Sequence, residues 1–134
     1  MSIPHLVRTA IPDIPQACPY LRVPDHKICE WQENLAQDDR AGMLKVGVIW
    51  KGNPNHQNDA RRSLPSLHVL APVLELSGIR FFNLQKDTST SDSASFAAQY
   101  GLFTPASAIV DVLDTAAIMA QLDLVISIDS MPAH

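Results

Sequence analysis

The chain is short of several things, and each shortage closes off a class of function. No apolar run approaches the ~18–20 residues that a membrane-spanning helix requires. Cations are outnumbered, 10 Lys and Arg against 14 Asp and Glu for a formal charge of −4. The basic stripe of a general nucleic-acid binder is therefore absent. There are only two cysteines, Cys18 and Cys29. Their spacing suits neither a zinc knuckle nor a redox pair, and they read as two reduced thiols of a cytosolic protein. The glycines at 42, 47, 52, 78 and 101 form neither G-x-G-x-x-G nor G-x-x-x-x-G-K-[ST], which weakens a common dinucleotide or ATPase reading. The histidines at 5, 26, 56, 68 and 134 show no H-E-x-x-H or paired metal spacing, so neither metal nor cofactor is expected. No charged-then-apolar leader opens the chain, and cytoplasmic residence is the expectation.

What is present is enough for a core. A chain of 134 residues that is 46% hydrophobic fits one compact domain. Its ten prolines are uneven, with Pro4, Pro12, Pro15, Pro19 and Pro24 crowded near the start. Each removes a backbone donor and biases its predecessor away from helix. Ser2 to Val23 therefore reads as an extended strap, anchored by Ile3, Leu6, Val7, Ile11, Ile14, Tyr20 and Leu21. From Asp25 to about Arg40 the spacing of Ile28, Trp31, Gln32 and Leu35 predicts a helix, with Asp25 as N-cap.

From Lys45 the pattern alternates. Val46–Trp50 predicts a strand buried on both faces. A polar loop, Lys51–Arg62, leads to a helix from about Ser66 to Ser77 that buries Leu67, Leu70, Ala71 and Leu74. Ile79–Leu84 predicts a second strand, and Gln85–Gly101 a loop with one helical turn around 96–100. Ser107–Val110 suggests a brief third strand. Asp114 is the expected cap of a helix with inner face Thr115, Ile118, Met119 and Leu122, followed by a strand at 124–128. The alternation predicts an α/β fold, a partial Rossmann-like parallel sheet with helices on its faces. Two regions are expected: a strap and helix over 1–44, and an α/β sheet region over 45–134. The chain stops just after a buried-type strand, with Pro132 placed to open a helix and Ser130 to cap it. This predicts a fragment of a longer protein.

In such sheets ligands sit beyond the carboxyl ends of the strands, so two loops matter most. The first runs from Lys51 to Ser63 and contains Asn53, Asn55, His56, Arg61 and Arg62. The arginines offer paired N–H donors to phosphate oxygens, and the next helix N-terminus would add positive potential. By composition alone, a solvated polar loop without a ligand reads equally well. The second is Asp129–His134: Asp129 is placed to bind hydroxyls, and Ser130 and His134 to meet phosphate or sugar oxygens. Taken alone, Asp129 and Ser130 read better as helix caps. Asp111 and Asp114 read as loop punctuation and a cap, not as a catalytic carboxylate pair.

At these loops the sequence becomes recognisable. Val46–Trp50 with Gly52-Asn53-Pro54-Asn55-His56, then Asn58–Ser63, resembles the glycosyltransferase module of bacterial tetratricopeptide-repeat proteins, related to glycosyltransferase family 9, the heptosyltransferases. Leu84-Gln85-Lys86, Asp114-Thr115-Ala116 and Leu122–Ser127 continue the likeness. Asp129-Ser130 with His134 resembles that family's D-[ST]-x-x-x-H donor-site motif. Ile14-Pro15 and Pro19-Tyr20-Leu21, then Trp31 and Leu35, resemble the segment joining the module's halves.

The resemblance implies a GT-B architecture of two Rossmann-like domains, this chain covering the strap and the first half of the donor domain. It implies donor binding by Asn53, Asn55, Arg61, Arg62, Asp129, Ser130 and His134, transfer from a nucleotide-diphosphate sugar without bound metal, and a general base on the other domain. Lys51 and Met131-Pro132 depart from the small residues expected there, which bears on donor preference more than on donor binding. The alternatives are a non-catalytic scaffold linked to helical repeats and a nucleotide-binding module without an acceptor domain.

Overall fold

A computed structural model describes residues 3–14, 21–36, 42–85, 91–105 and 108–133, with side chains omitted at 91–93. Three parallel strands form an open sheet of order β2-β1-β3: β1 Leu44–Ile49, β2 Ile79–Asn83 and β3 Leu124–Ser127. The helices are α1 Ile3–Leu6, α2 Asp25–Ala36, α3 Asp59–Arg62, α4 Ala71–Leu74, α5 Ser91–Gln99 and α6 Val112–Met119. The mixed α/β architecture expected from the alternation is present as a small open parallel sheet.

The central strand explains the layering. In β1, Val46 and Val48 pair with Phe81 and Asn83 of β2. Alternate side chains share a face, so Val46, Val48, Trp50 and Phe81 build one core with Leu67, Leu74 and Phe96. Ile49, Phe82 and Leu84 point the other way and pack with Trp31 and Leu35 of α2 and Ala117 and Ile118 of α6. Gly47 lets that second layer close: a Cβ there would lie 2.6 Å from Leu84 Cδ1 and 2.7 Å from Leu122 Cδ1.

Several expectations are corrected. The strap is not uniformly extended: it holds α1 and a 3-10 turn at Ile11–Asp13, because proline is tolerated in a first helical turn. Of its expected anchors Ile3, Leu6, Val7, Ile11, Ile14 and Leu21 are all exposed, and among the strap's described residues it is Val23, at its end, that packs against the core. Pro15, Pro19 and Tyr20 lie outside the described residues. In α2, Pro24 holds the cap position and Asp25 opens the helix; Lys27 and Ile28 N–H both donate to Pro24 O.

The single helix expected over 66–77 divides into a 3-10 segment, Leu67–Leu70, and α4. Pro72 has no N–H to continue an α-helical ladder across that boundary, though Leu67 and Leu74 still face the core. The helical turn expected at 96–100 is a nine-residue helix, α5. No strand forms at 108–110, and Ser107 lies outside the described residues. Phe103 instead bridges Phe82 on the outer side of β2. The cap of α6 is Asp111, whose Oδ1 accepts from Leu113 and Asp114 N–H; Asp114 is buried one turn in.

Candidate functional site

The chain leaves β1 for β2 on one side of the sheet, then returns past β1 to β3 on the other. Such a reversal opens a crevice at the carboxyl ends of the two strands that part. A cleft of about 600 Å³ lies there, floored by Ile49 and Leu84 and walled by three segments: Lys51–Pro54 with Arg62, Asp111–Val112 with Thr115, and Ser130–Pro132; Gln85 completes it. That volume falls within the ~300–1,000 Å³ of small-molecule sites.

The first loop is shaped by its own polar residues. Leu64 N–H donates to Trp50 O at 2.9 Å and Gly52 N–H to Ser63 Oγ at 2.9 Å, pinching the loop shut. Ser63 Oγ in turn donates to Asp59 Oδ1 at 2.7 Å. Asn53 Oδ1 accepts from Asn55 N–H at 2.9 Å, an Asx turn that replaces a backbone turn. Gly52 leaves room for its neighbours: a Cβ would sit 2.8 Å from Asp59 Oδ1, which would have to shift, and 3.5 Å from Arg62 Nη2. Across the cleft, Ile128 N–H donates to Ile49 O, carrying the β1–β3 pairing to the strand end. Ser127 and Ser130 hydroxyls lie 3.3 Å apart, and Ala133 N–H donates to Ser130 O.

These two turns bring Arg62 and Asp129 together, with Nη1 3.9 Å from Oδ2. The guanidinium is partly buried, its Nε is buried and donates to nothing, and the Asp129 side chain is 68% exposed. Arg62, Asn53 and Ser130 line the cleft; Asp129 reaches its rim through Arg62. Asn55 and Arg61 are exposed and stand outside the lining. His134 lies outside the described residues. The positive potential expected from a following helix is reduced, because the segments after Arg62 are only four residues each and few peptide dipoles align.

Sequence reasoning did not place Gln85, Asp111 or Thr115 in this cleft. Gln85 Oε1 accepts from Lys51 N–H at 3.0 Å and so ties the end of β2 to the first loop. Asp111 reads in the sequence as loop punctuation, with no sign that it lines a cleft.

Behind the α6 wall lies the most enclosed charge among the described residues. Asp114, 1% exposed, accepts from Lys27 Nζ at 2.8 Å and Trp31 Nε1 at 3.0 Å through Oδ1. Its Oδ2 accepts from Val110 N–H at 2.9 Å and Asp111 N–H at 3.2 Å. Burial pushes this carboxyl up, but those four hydrogen bonds together outweigh it and hold the group well below the usual carboxylate range. The hydrogen bond to Asp114 raises Lys27 in turn.

Among the described residues no group of three or more His, Cys, Asp or Glu could hold a metal ion, and no helix is long and apolar enough to cross a membrane. Comparison with protein-family models, curated proteins and solved structures finds no match for this chain.

Proposed function

We propose that the cleft holds the diphosphate of a nucleotide-sugar donor, and that this chain contributes donor binding to a glycosyltransferase of the family 9-like, GT-B kind. The observation that carries the reading is Arg62, a partly buried guanidinium with an unpartnered Nε and its nearest recorded carboxylate at 3.9 Å. Its planar fork can engage phosphate oxygens through two parallel N–H donors, which a single 3.9 Å approach to Asp129 does not use. Lys51 adds a second cation to the lining, and Asn53 and Ser130 add polar groups beside it. Cations so placed would also stabilise the charge that grows on a departing nucleoside diphosphate.

One observation favours binding without turnover for this chain by itself. Asp111, the carboxylate that lines the cleft, and Asp129 beside Arg62 are both exposed, so neither has the enclosed setting that tunes a general base. The acceptor's base would belong to another domain, and the isolated 134 residues are expected to bind donor and transfer nothing.

Calorimetric titration with uridine, guanosine and adenosine diphosphates tests the reading. At least one is expected to bind, and Arg62→Ala to weaken it by about 1.5–3 kcal/mol, the scale of a lost charge-assisted hydrogen bond. Unchanged affinity removes Arg62 from the site; failure of all three to bind overturns the nucleotide reading. Transfer or donor hydrolysis by the 134 residues alone would contradict the division of labour.

A further inference from the structure

One wall of the cleft is the first turn of α6, where Asp111, Val112 and Thr115 face the opening. That turn is fixed from behind by Asp114, and the same carboxylate fixes α2. Oδ2 takes the Val110 and Asp111 N–H groups of the turn, while Oδ1 takes Lys27 and Trp31 of α2. We infer that docking of α2 on Asp114 sets the shape of the α6 wall, so that attachment of this helix and occupancy of the cleft are linked. The inference rests on the reading of the cleft as a diphosphate site and adds a means of regulating it.

The physical reason is charge compensation. A buried carboxylate needs a cation and hydrogen-bond donors, or it turns toward water. With α2 lifted away, Asp114 loses Lys27 and Trp31 together. Swinging outward would restore its hydration but release the two amides that hold the turn before α6. Asp111, which caps α6 and lines the cleft, moves with that turn.

The attachment of α2 is concentrated at a few residues. Of its twelve residues only Trp31 and Leu35 are buried, and beyond Asp114 its recorded polar tie to α6 and the turn after it is Gln121 Nε2 donating to Ile28 O at 3.3 Å. Linkage is reciprocal: if α2 docking favours the occupied cleft, occupancy must favour docked α2 by the same factor.

Amide hydrogen exchange on the whole chain tests this. Lys27→Met keeps the aliphatic stem and removes the charge. It is expected to speed exchange at Val110 and Asp111 by about tenfold, leave Val48 in β1 unchanged, and be reversed by Lys27→Arg. Should Lys27→Met not fold, Trp31→Phe removes one of the two ties and is expected to act in the same direction. Unaltered protection at Val110 and Asp111 in the folded variant overturns the inference.

In a second arm, uridine diphosphate is expected to bind Lys27→Met about three- to tenfold more weakly, and to slow exchange along α2 in the unmodified chain. A structural role without linkage would leave the α2 amides indifferent to the nucleotide, and that result also overturns the proposal. If no nucleoside diphosphate binds the unmodified chain, the nucleotide reading falls, and the contrast at Val110 and Asp111 then decides whether α2 shapes the wall.

Discussion

Each face of the sheet buries one tryptophan, and the two are held differently. Trp50, 1% exposed, sits in the layer of Val46, Val48, Phe81 and Phe96, and its Nε1 has no partner. Trp31, 2% exposed, sits in the opposite layer with Ile118 and donates to the Asp114 carboxylate. One face is therefore held by packing that tolerates orphaned donors, Asn83 Nδ2 among them. The other adds a buried charge with four donors. The first should answer to changes in volume, and the second to changes in protonation.

The largest expected effect is on the packed face. Trp50→Ala should destabilise by about 3–5 kcal/mol through the cavity it leaves, with little dependence on pH, as denaturant melts at several pH values would show. Asp114→Ala should cost on the order of 3 kcal/mol, since it leaves the buried Trp31 N–H without its acceptor and frees the α6 turn.

The pH dependence has a definite sign. Asp114 is held below its unfolded value of about 3.9, so its contribution is complete above that pH and is lost as pH falls toward the depressed folded value. The unmodified chain should lose stability between about pH 5 and pH 2 more steeply than Asp114→Ala.

A matched pair sharpens the contrast. Trp31→Phe should cost about 1.5–3 kcal/mol, because it removes a hydrogen bond to a charged acceptor. Trp50→Phe should cost less than about 1.5 kcal/mol, as it removes a donor that had no acceptor. Equal losses in the two variants would erase the distinction between the faces. The smallest effect belongs to the strap: Ile11→Ser, at a residue 84% exposed, should stay within about 0.5 kcal/mol.

The sheet was legible because its signal is local. Val46–Trp50 and Ile79–Leu84 are short apolar runs; β2 falls within the second, while β1 overlaps the first and begins two residues before it, at Leu44. The position of the two loops at one end of the sheet followed from parallel pairing, which is how Arg62 and Asp129 could be named before their 3.9 Å approach was known. Asp114 was not legible. A carboxylate early in a helix looks like a cap in sequence, and its burial depends on Lys27 and Trp31 more than eighty residues away. Gln85 escaped for the same reason, since its contact with Lys51 spans two strand ends. The strap misled because apolar content does not say what it packs on, and here Ile3, Leu6, Val7, Ile11, Ile14 and Leu21 touch water.

The two borders of the sheet are unlike. Beyond β2, Phe103 donates to Phe81 O and accepts from Asn83 N–H, which closes that border. Beyond β3, no described strand pairs, and Leu124-Val125-Ile126-Ser127 carries neither charge nor proline to discourage one. Among the described residues the unpaired edge of the sheet therefore runs along β3, and it ends at the turn that presents Asp129 and Ser130.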